Sequence, residues 1–265
     1  MAGSVAQSST TSGNSAAKPR ASKKSAPVKK TGRKTPEEKL YGSLFAELAR
    51  IAEMSSVERR LRDFGFRCIA GTDEVGRGCL AGPVVAACVI LDADPTLFGV
   101  NDSKQVAHED RFDICRVILS RARAVAVGVV EHTTIDRINI LRASKLAMLH
   151  AVDDLSLRPD VLLLDAVTLE QLEMPQIPLI GGDRRSVSIA AASIVAKVYR
   201  DMLMESYDAL YPVYGFKHHR GYATEAHQAA LKTFGPSPIH RRSFEGVEEP
   251  MLLFGSRVED GGSTR

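Results

Sequence analysis

The sequence predicts an α/β protein, a sheet flanked by helices, and three observations carry that prediction. Apolar runs too short for helices recur at 83–91, 124–130 and 161–164, each about the length of one strand. Segments with apolar residues three and four apart stand between and after these runs, so strands alternate with helices. Hydrophobic residues make up 44% and charged residues 25% of the 265 positions, which excludes a wholly disordered, collagenous or coiled-coil chain. No apolar run approaches the roughly 20 residues of a membrane span.

Order is expected to begin near Thr35, where Thr-Pro-Glu-Glu places a cap and a first-turn proline ahead of Leu40, Leu44, Phe45, Leu48 and Ile51. That spacing marks a helix. Residues 67–72 then read as a buried strand and 83–91 as a second, joined as a hairpin by a glycine-rich loop. A helix carrying Phe112, Cys115, Val117, Ile118 and Leu119 spans about 108–122 and leads into the strand at 124–130. One longer helix is expected at about 134–155. The strand at 161–164 is fully apolar and ends in Asp165, as a strand buried on both faces would. A last strand follows at 177–180, and from Ser186 to about Tyr207 a helix offers an alanine-rich face suited to close packing.

Residues 1–36 hold eight of the 35 Lys and Arg and no acid, in a Ser-, Ala-, Gly- and Thr-rich context without apolar periodicity. Such a segment buries too little surface to offset its ordering entropy, and a disordered basic tail is expected. It is either a solvated extension or an arm drawn to polyanions such as nucleic acid. The expected organisation is therefore a tail at 1–36, a folded domain at 37–245 with a helical C-terminal portion, and a C-terminal tail at 246–265. Cys68, Cys79, Cys88 and Cys115 have neither a Cys-x-x-Cys spacing nor a zinc-type histidine spacing nearby, which points to a reducing, cytoplasmic setting.

Four acids fall where strands or loops end: Asp73 and Glu74 after the first strand, Asp165 after the fourth, and Asp183 in Gly-Gly-Asp before a helix. Singly, each has a structural explanation: Asp183 beside a helix cap, Asp165 capping a turn, the Asp-Glu pair as surface charge. Together they could converge on one edge of the sheet, where like-charge repulsion must be relieved by a cation. Oxygen-only donors suit Mg²⁺ or Mn²⁺ rather than zinc. The loop Gly76-Arg77-Gly78 lets backbone amides approach a ligand and sets a guanidinium beside the acids. Lys104 and Lys197 add cations for phosphates, and Tyr222 offers a ring that can stack on a sugar or base. Their plain alternatives are turn, surface charge and core aromatic. His218, His219, His227 and His240 lack an aligned pair with a ligating acid, so phosphate-side or structural roles are expected of them.

The segments Gly71-Thr-Asp-Glu-Val-Gly-Arg-Gly-Cys-Leu-Ala-Gly-Pro83, Asn101-Asp-Ser-Lys104, Gly182-Asp-Arg-Arg-Ser-Val-Ser-Ile-Ala-Ala-Ala-Ser-Ile-Val-Ala-Lys-Val-Tyr-Arg-Asp201, Gly221-Tyr-Ala-Thr224 and His240-Arg-Arg-Ser-Phe244 resemble bacterial ribonuclease HII, in that family's order. The resemblance implies a ribonuclease H-like fold and a metal-dependent endonuclease. Such an enzyme hydrolyses the RNA strand of RNA:DNA hybrids and nicks DNA 5′ to embedded ribonucleotides, leaving 5′-phosphate and 3′-hydroxyl. It further implies that Asp73, Glu74, Asp165 and Asp183 hold two divalent ions, Mg²⁺ or Mn²⁺. Asp73 is then expected to be shared between the ions, with Asp183 at the attacking water and Glu74 and Asp165 at the leaving group. Gly76, Arg77 and Gly78 would read the 2′-hydroxyl, and Tyr222 would sense the RNA-to-DNA junction. The chain departs from the family at Cys79, where proline is usual, and in its basic tail.

The partners expected are RNA:DNA hybrid and DNA containing ribonucleotides, for a monomer that stays off the membrane, with a sliding clamp as a candidate partner of the C-terminal segment. Two rival readings are a DNA resolvase or transposase-type nuclease of the same fold, and a nucleic-acid-binding module without catalysis. The glycine loop with Tyr222 argues against the first, and the four acids argue against the second.

Overall fold

The computed structural model describes residues 35–93, 97–100 and 108–247. Both expected tails fall largely outside these residues, and Lys104 falls wholly outside them. A five-stranded mixed sheet forms the middle layer, built from β1 (Ile69–Val75), β2 (Val84–Leu91), β3 (Ala122–Val130), β4 (Val161–Asp165) and β5 (Gln176–Leu179) in the order β3-β2-β1-β4-β5. The expected hairpin is there: β1 pairs antiparallel with β2, and β2 with β3. β1 also pairs in parallel with β4, and β4 with β5. The central strand is therefore where the two pairing senses meet.

The continuous apolar runs are explained by burial on both faces. From β2, Val85, Ala87, Val89 and Leu91 pack with α3 (His108–Arg121) and α6 (Val187–Leu210), while Val84, Ala86, Cys88 and Ile90 pack with α5 (Ile140–Asp153). The alanine-rich face of α6 lies against β1 and β2, and Gly71 sets how close it comes. A Cβ at Gly71 would run into the backbone of Ser188, so only glycine lets the first turn of α6 meet β1.

Several elements differ from expectation. β1 continues to Val75, so Asp73 and Glu74 lie within the strand and not beyond it. The single helix expected at 134–155 is two, α4 (His132–Ile138) and α5, broken at Asn139, which takes a left-handed φ of 69° and caps α5 by accepting from the Arg142 N–H. Ile-Asn-Ile keeps the apolar spacing across the break, which hides it from periodicity. One helix was not foreseen, α2 (Ser56–Asp63), which follows α1 (Pro36–Met54); the expected helical C-terminal portion is there, with α7 (Phe216–His219) and α8 (Glu225–Phe234) beyond α6. In that portion Leu80, Ala81, Met204, Tyr214, Phe216 and Leu231 share one core, which anchors the loop after β1.

Almost every side chain of α2 is polar, yet Leu61 and Glu58 are buried. The Glu58 carboxylate accepts from the Ser186 hydroxyl at 2.6 Å and from the Ser188 N–H at 3.0 Å, so it sits on the positive end of α6. A hydrogen bond to a buried charged group contributes about 1.5–3 kcal/mol. Glu58→Ala is expected to destabilise the fold by about that amount, read as a lower denaturant midpoint at unchanged slope.

Candidate active site

At the carboxyl end of the parallel pair, Thr72 is in register with Leu164, so the next residues, Asp73 and Asp165, leave the ladder side by side. Asp73 is on the α6 side of β1 and interacts with the hydroxyl of Ser193; its Oδ1 also accepts from the Glu74 N–H at 2.8 Å. Asp165 accepts from the Gly182 N–H at 2.8 Å, which ties β4 to the short 3-10 turn Gly182–Arg184 bearing Asp183. Asp183 is buried, and Ser186, not Asp183, caps α6 by accepting from the Ile189 N–H. Asp183 thus stands beside the cap of α6 without being it, and Asp165 does hold a turn.

All four acids line a single cavity of about 320 Å³ with Gly76, Arg77, Gly78, Ser193, Lys197 and Tyr222. Its electrostatics are uncompensated at the centre. Burial and then the charge of Glu74 push Asp73 up to about 8, with Asp165 adding to the repulsion. Glu74 is also raised by burial, opposed by the Arg77 guanidinium 3.0 Å away. Among the described residues no three acids form a finished metal shell, since each is turned to a donor of its own. The donor set still fits a hard divalent cation: every donor is an oxygen, and the carboxylates repel one another across a cavity they share.

The glycine loop is held from behind by two fully buried arginines, neither of which the sequence pattern singled out for a role. Arg200 donates to the carbonyls of Pro83, Arg220 and Ala81, and Arg241 donates to those of Arg77 and Gly82, all at 2.9–3.1 Å. Nothing in the sequence signals them, since Arg200 stands among Lys197, Tyr199 and Asp201 and Arg241 between His240 and Arg242, each one polar residue among several. Gly76 has a φ of 92°, and a Cβ there would strike the Arg200 side chain, which its three carbonyl bonds hold in place. Gly78 has open space in front of it. Gly76→Ala should therefore cost at least the roughly 1–2 kcal/mol of a left-handed alanine and lower the melting temperature. Gly78→Ala should leave melting unchanged and weaken substrate binding alone, a contrast that melting curves and KM values on the two variants check.

Tyr222 is 39% exposed, which rules out a core aromatic. Its backbone bridges to Cys79, its hydroxyl meets the Cys79 thiol, and Lys197 Nζ lies 6.0 Å from its ring. Lys197 reaches the cavity, but its ammonium is 2.5 Å from Asp201, so its charge is already partnered. Beyond Lys197 and Tyr222 a second cleft of about 590 Å³ opens, lined also by Arg111, Lys217, His218, the edge of His219 and Arg220, and by the acid Asp201. His219, His227 and His240 are buried behind Tyr222.

The sequence model of the Ribonuclease HII family matches residues 70–247, a span that holds all four acids, the glycine loop and Tyr222. The Ribonuclease HII of Pediococcus pentosaceus is 53% identical over 197 residues, covering 74% of this chain and 77% of that protein. That of Bacillus subtilis is 50% identical over 195 residues, covering 74% and 76%. Among solved structures, the PCNA:RNase HII complex from Archaeoglobus fulgidus superposes with a TM-score of 0.58 at 26% identity, over 69% of this chain and 98% of that one. The mixed sheet with its helical C-terminal portion is thus a ribonuclease H-like fold, and with the match spanning the whole acid-lined cavity, this chain belongs to the ribonuclease HII family.

Proposed function

We propose that this ribonuclease H endonuclease cuts its substrate in the carboxylate-lined cavity, hydrolysing the RNA strand of RNA:DNA hybrids and nicking DNA 5′ to embedded ribonucleotides. The observation that carries the reading is the meeting of the acids, the glycine loop and Tyr222 in one cavity. Asp73, Glu74, Asp165 and Asp183 would hold two ions, Mg²⁺ or Mn²⁺, with Asp73, the residue repelled by two of the others, best placed to be shared. Bound there, such ions would activate the attacking water, neutralise charge gathering on the phosphoryl group and stabilise the departing 3′ oxygen.

The protein's own groups supply position and selectivity. Arg77, half-exposed at the rim and braced on Glu74, would donate to the 2′-hydroxyl together with the loop amides, the group that tells RNA from DNA at one nucleotide. The backward ties of Arg200 and Arg241 would hold that loop in the same shape with and without substrate. Tyr222 would stack on the deoxyribose that follows, and the cleft beyond it, whose cations Lys197, Lys217 and Arg220 are held in place by ion pairs with Asp201, Asp208 and Glu205, would receive the backbone downstream. This selectivity is what sets the reading apart from a resolvase-type nuclease. One gel tests it: a duplex with a single embedded ribonucleotide, an all-DNA duplex and a hybrid, each with Mg²⁺, Mn²⁺ or chelator. Cutting of the all-DNA duplex, or cutting in chelator, would overturn it.

The domain organisation proposed is an arm at 1–36, a catalytic domain at 37–245 and a C-terminal tail at 246–265. A cytoplasmic setting is proposed; among the described residues no helix is long and apolar enough to cross a membrane, and all four cysteines are free. The chain is proposed to act as a monomer. A sliding clamp is the partner proposed for the C-terminal tail. The arm's eight cations should add sequence-independent attraction, each neutralised duplex phosphate adding about 0.9 to the slope of log K against log salt. Deleting residues 2–34 is expected to flatten that slope and leave the cut position unchanged; equal slopes would make the arm a solvated extension.

A further inference from the structure

We propose that the buried histidines His219, His227 and His240 are positioning residues for Tyr222, and that they set how strongly the enzyme prefers a single embedded ribonucleotide over a long hybrid. The proposal rests on the junction-sensing role given to Tyr222 above. It starts from a chain of hydrogen bonds that fixes the tautomer of every ring. His227 Nδ1 is 2.9 Å from the Tyr222 carbonyl, which can only accept, so Nδ1 carries the proton and Nε2 presents a lone pair. That Nε2 is 2.9 Å from His240 Nε2, which must therefore donate. His240 Nδ1 is left as the acceptor, and the N–H and hydroxyl of Ser237 meet it at 2.8 and 2.7 Å. His219 donates through Nε2 to the Tyr214 carbonyl at 2.8 Å and accepts through Nδ1 from the Gly221 N–H at 3.2 Å.

Two consequences follow. All the ring nitrogens of the three residues are engaged, so none is left for a metal or a phosphate, and burial keeps His227 and His240 well below the usual histidine range, in keeping with neutral rings. The main chain at Tyr222 is also gripped from both sides. His219 holds the Gly221 N–H, its own carbonyl takes the Tyr222 N–H at 2.9 Å, and His227 holds the Tyr222 carbonyl. The His219 and His227 rings stack 4.4 Å apart at 15°, so the two grips move as one. α8 carries His227 rigidly because Thr224 caps it by accepting from the His227 N–H.

The position of Tyr222 needs such a device. Tyr222 is 39% exposed and its hydroxyl meets Cys79 on the glycine loop, so the direction in which the open face of its ring points is set by that loop and by its own backbone. Serine, two imidazoles and a carbonyl thus transmit the rigidity of the C-terminal core to a residue at the cavity rim. An aromatic that must meet a sugar within a fraction of an ångström drifts out of reach when its backbone shifts, whereas a long hybrid retains its other backbone contacts.

The test measures kcat/KM on a single-ribonucleotide duplex and on a long hybrid, beside melting curves, for His227→Phe, His227→Asn, His240→Leu and Tyr222→Ala. His227→Phe keeps a ring and removes both nitrogens, and is expected to lower the preference for the single ribonucleotide roughly three- to tenfold, the worth of one neutral hydrogen bond. His227→Asn puts an amide N–H where Nδ1 was and should restore the preference to within about twofold, although it loses the link to His240. His240→Leu frees His227 Nε2 and should give a smaller selective loss, and it carries the comparison should His227→Phe not fold. A parallel fall on both substrates in step with melting temperature would reduce the cluster to a stabilising one. A selective loss in Tyr222→Ala without one in the histidine variants overturns the histidine proposal alone. No selective loss in Tyr222→Ala overturns the junction-sensing role, and the histidine proposal with it.

Discussion

Asp73→Asn is expected to lower turnover by more than a hundredfold while leaving duplex binding intact or slightly tightened. Loss of a group that merely orients a metal ligand costs about 10–100-fold, so loss of a carboxylate shared between two ions should exceed that. Binding survives because the change removes negative charge from beside a phosphate. The same substitution has a signature in stability. Native Asp73 holds its proton up to about 8, whereas an unfolded aspartate releases it near 3.9. Between those values the native state binds the extra proton, so in chelator this residue makes stability fall as pH rises from about 4 to about 8. Asp73→Asn should abolish that contribution and melt higher than the wild type in chelator near pH 8. Stabilisation by Mg²⁺ should grow with pH across the same window in the wild type and be smaller in the variant at every pH of it. Turnover within a few-fold of wild type, or identical melting of the two proteins in chelator at pH 8, would show that Asp73 is not at the centre of the charge.

What could be read from the sequence divides along the range of the contacts involved. Buried strands were legible because burial on both faces writes a continuous apolar run, as in β2 and β4. The convergence of the acids was legible because strands ending in acids share an edge once a sheet forms. The end of β1 was misjudged, since a pair of acids reads as a loop unless one knows that Asp73 faces Ser193 across a helix interface. α2 was invisible: its one structural acid, Glu58, finds its partners on α6, more than a hundred residues away. The same holds for Arg200, Arg241 and the histidine cluster, whose roles reside in carbonyls and rings brought together only by the C-terminal helices. Lys197 shows the converse. Its partner Asp201 lies four residues on, an ion pair of local spacing that the sequence displays, and the pair holds the ammonium at the cavity wall.

Tyr222→Ala is expected to reduce cutting of a single-ribonucleotide duplex about five- to hundredfold, with a much smaller effect on a long hybrid. The lower and upper bounds follow from roughly 1–3 kcal/mol of stacking, at about 1.4 kcal/mol per tenfold, if the ring is fully stacked at the transition state. Selectivity follows from the number of junctions: a single ribonucleotide offers one, while a hybrid can be held by the acids and its own backbone. The exposure of the ring argues for this outcome, since truncating an exposed side chain leaves no cavity in a core. Melting should therefore shift little. Truncation also removes the tie between the hydroxyl and Cys79, which Tyr222→Phe breaks by itself. Tyr222→Phe should keep the preference for the single ribonucleotide within about twofold, because it retains the stacking face. Steady-state cleavage of both substrates by the two variants, run beside melting curves, decides the matter: a fall of equal size on both substrates, or a Phe variant as impaired as the Ala variant, would move the role of Tyr222 from the sugar to the loop it holds.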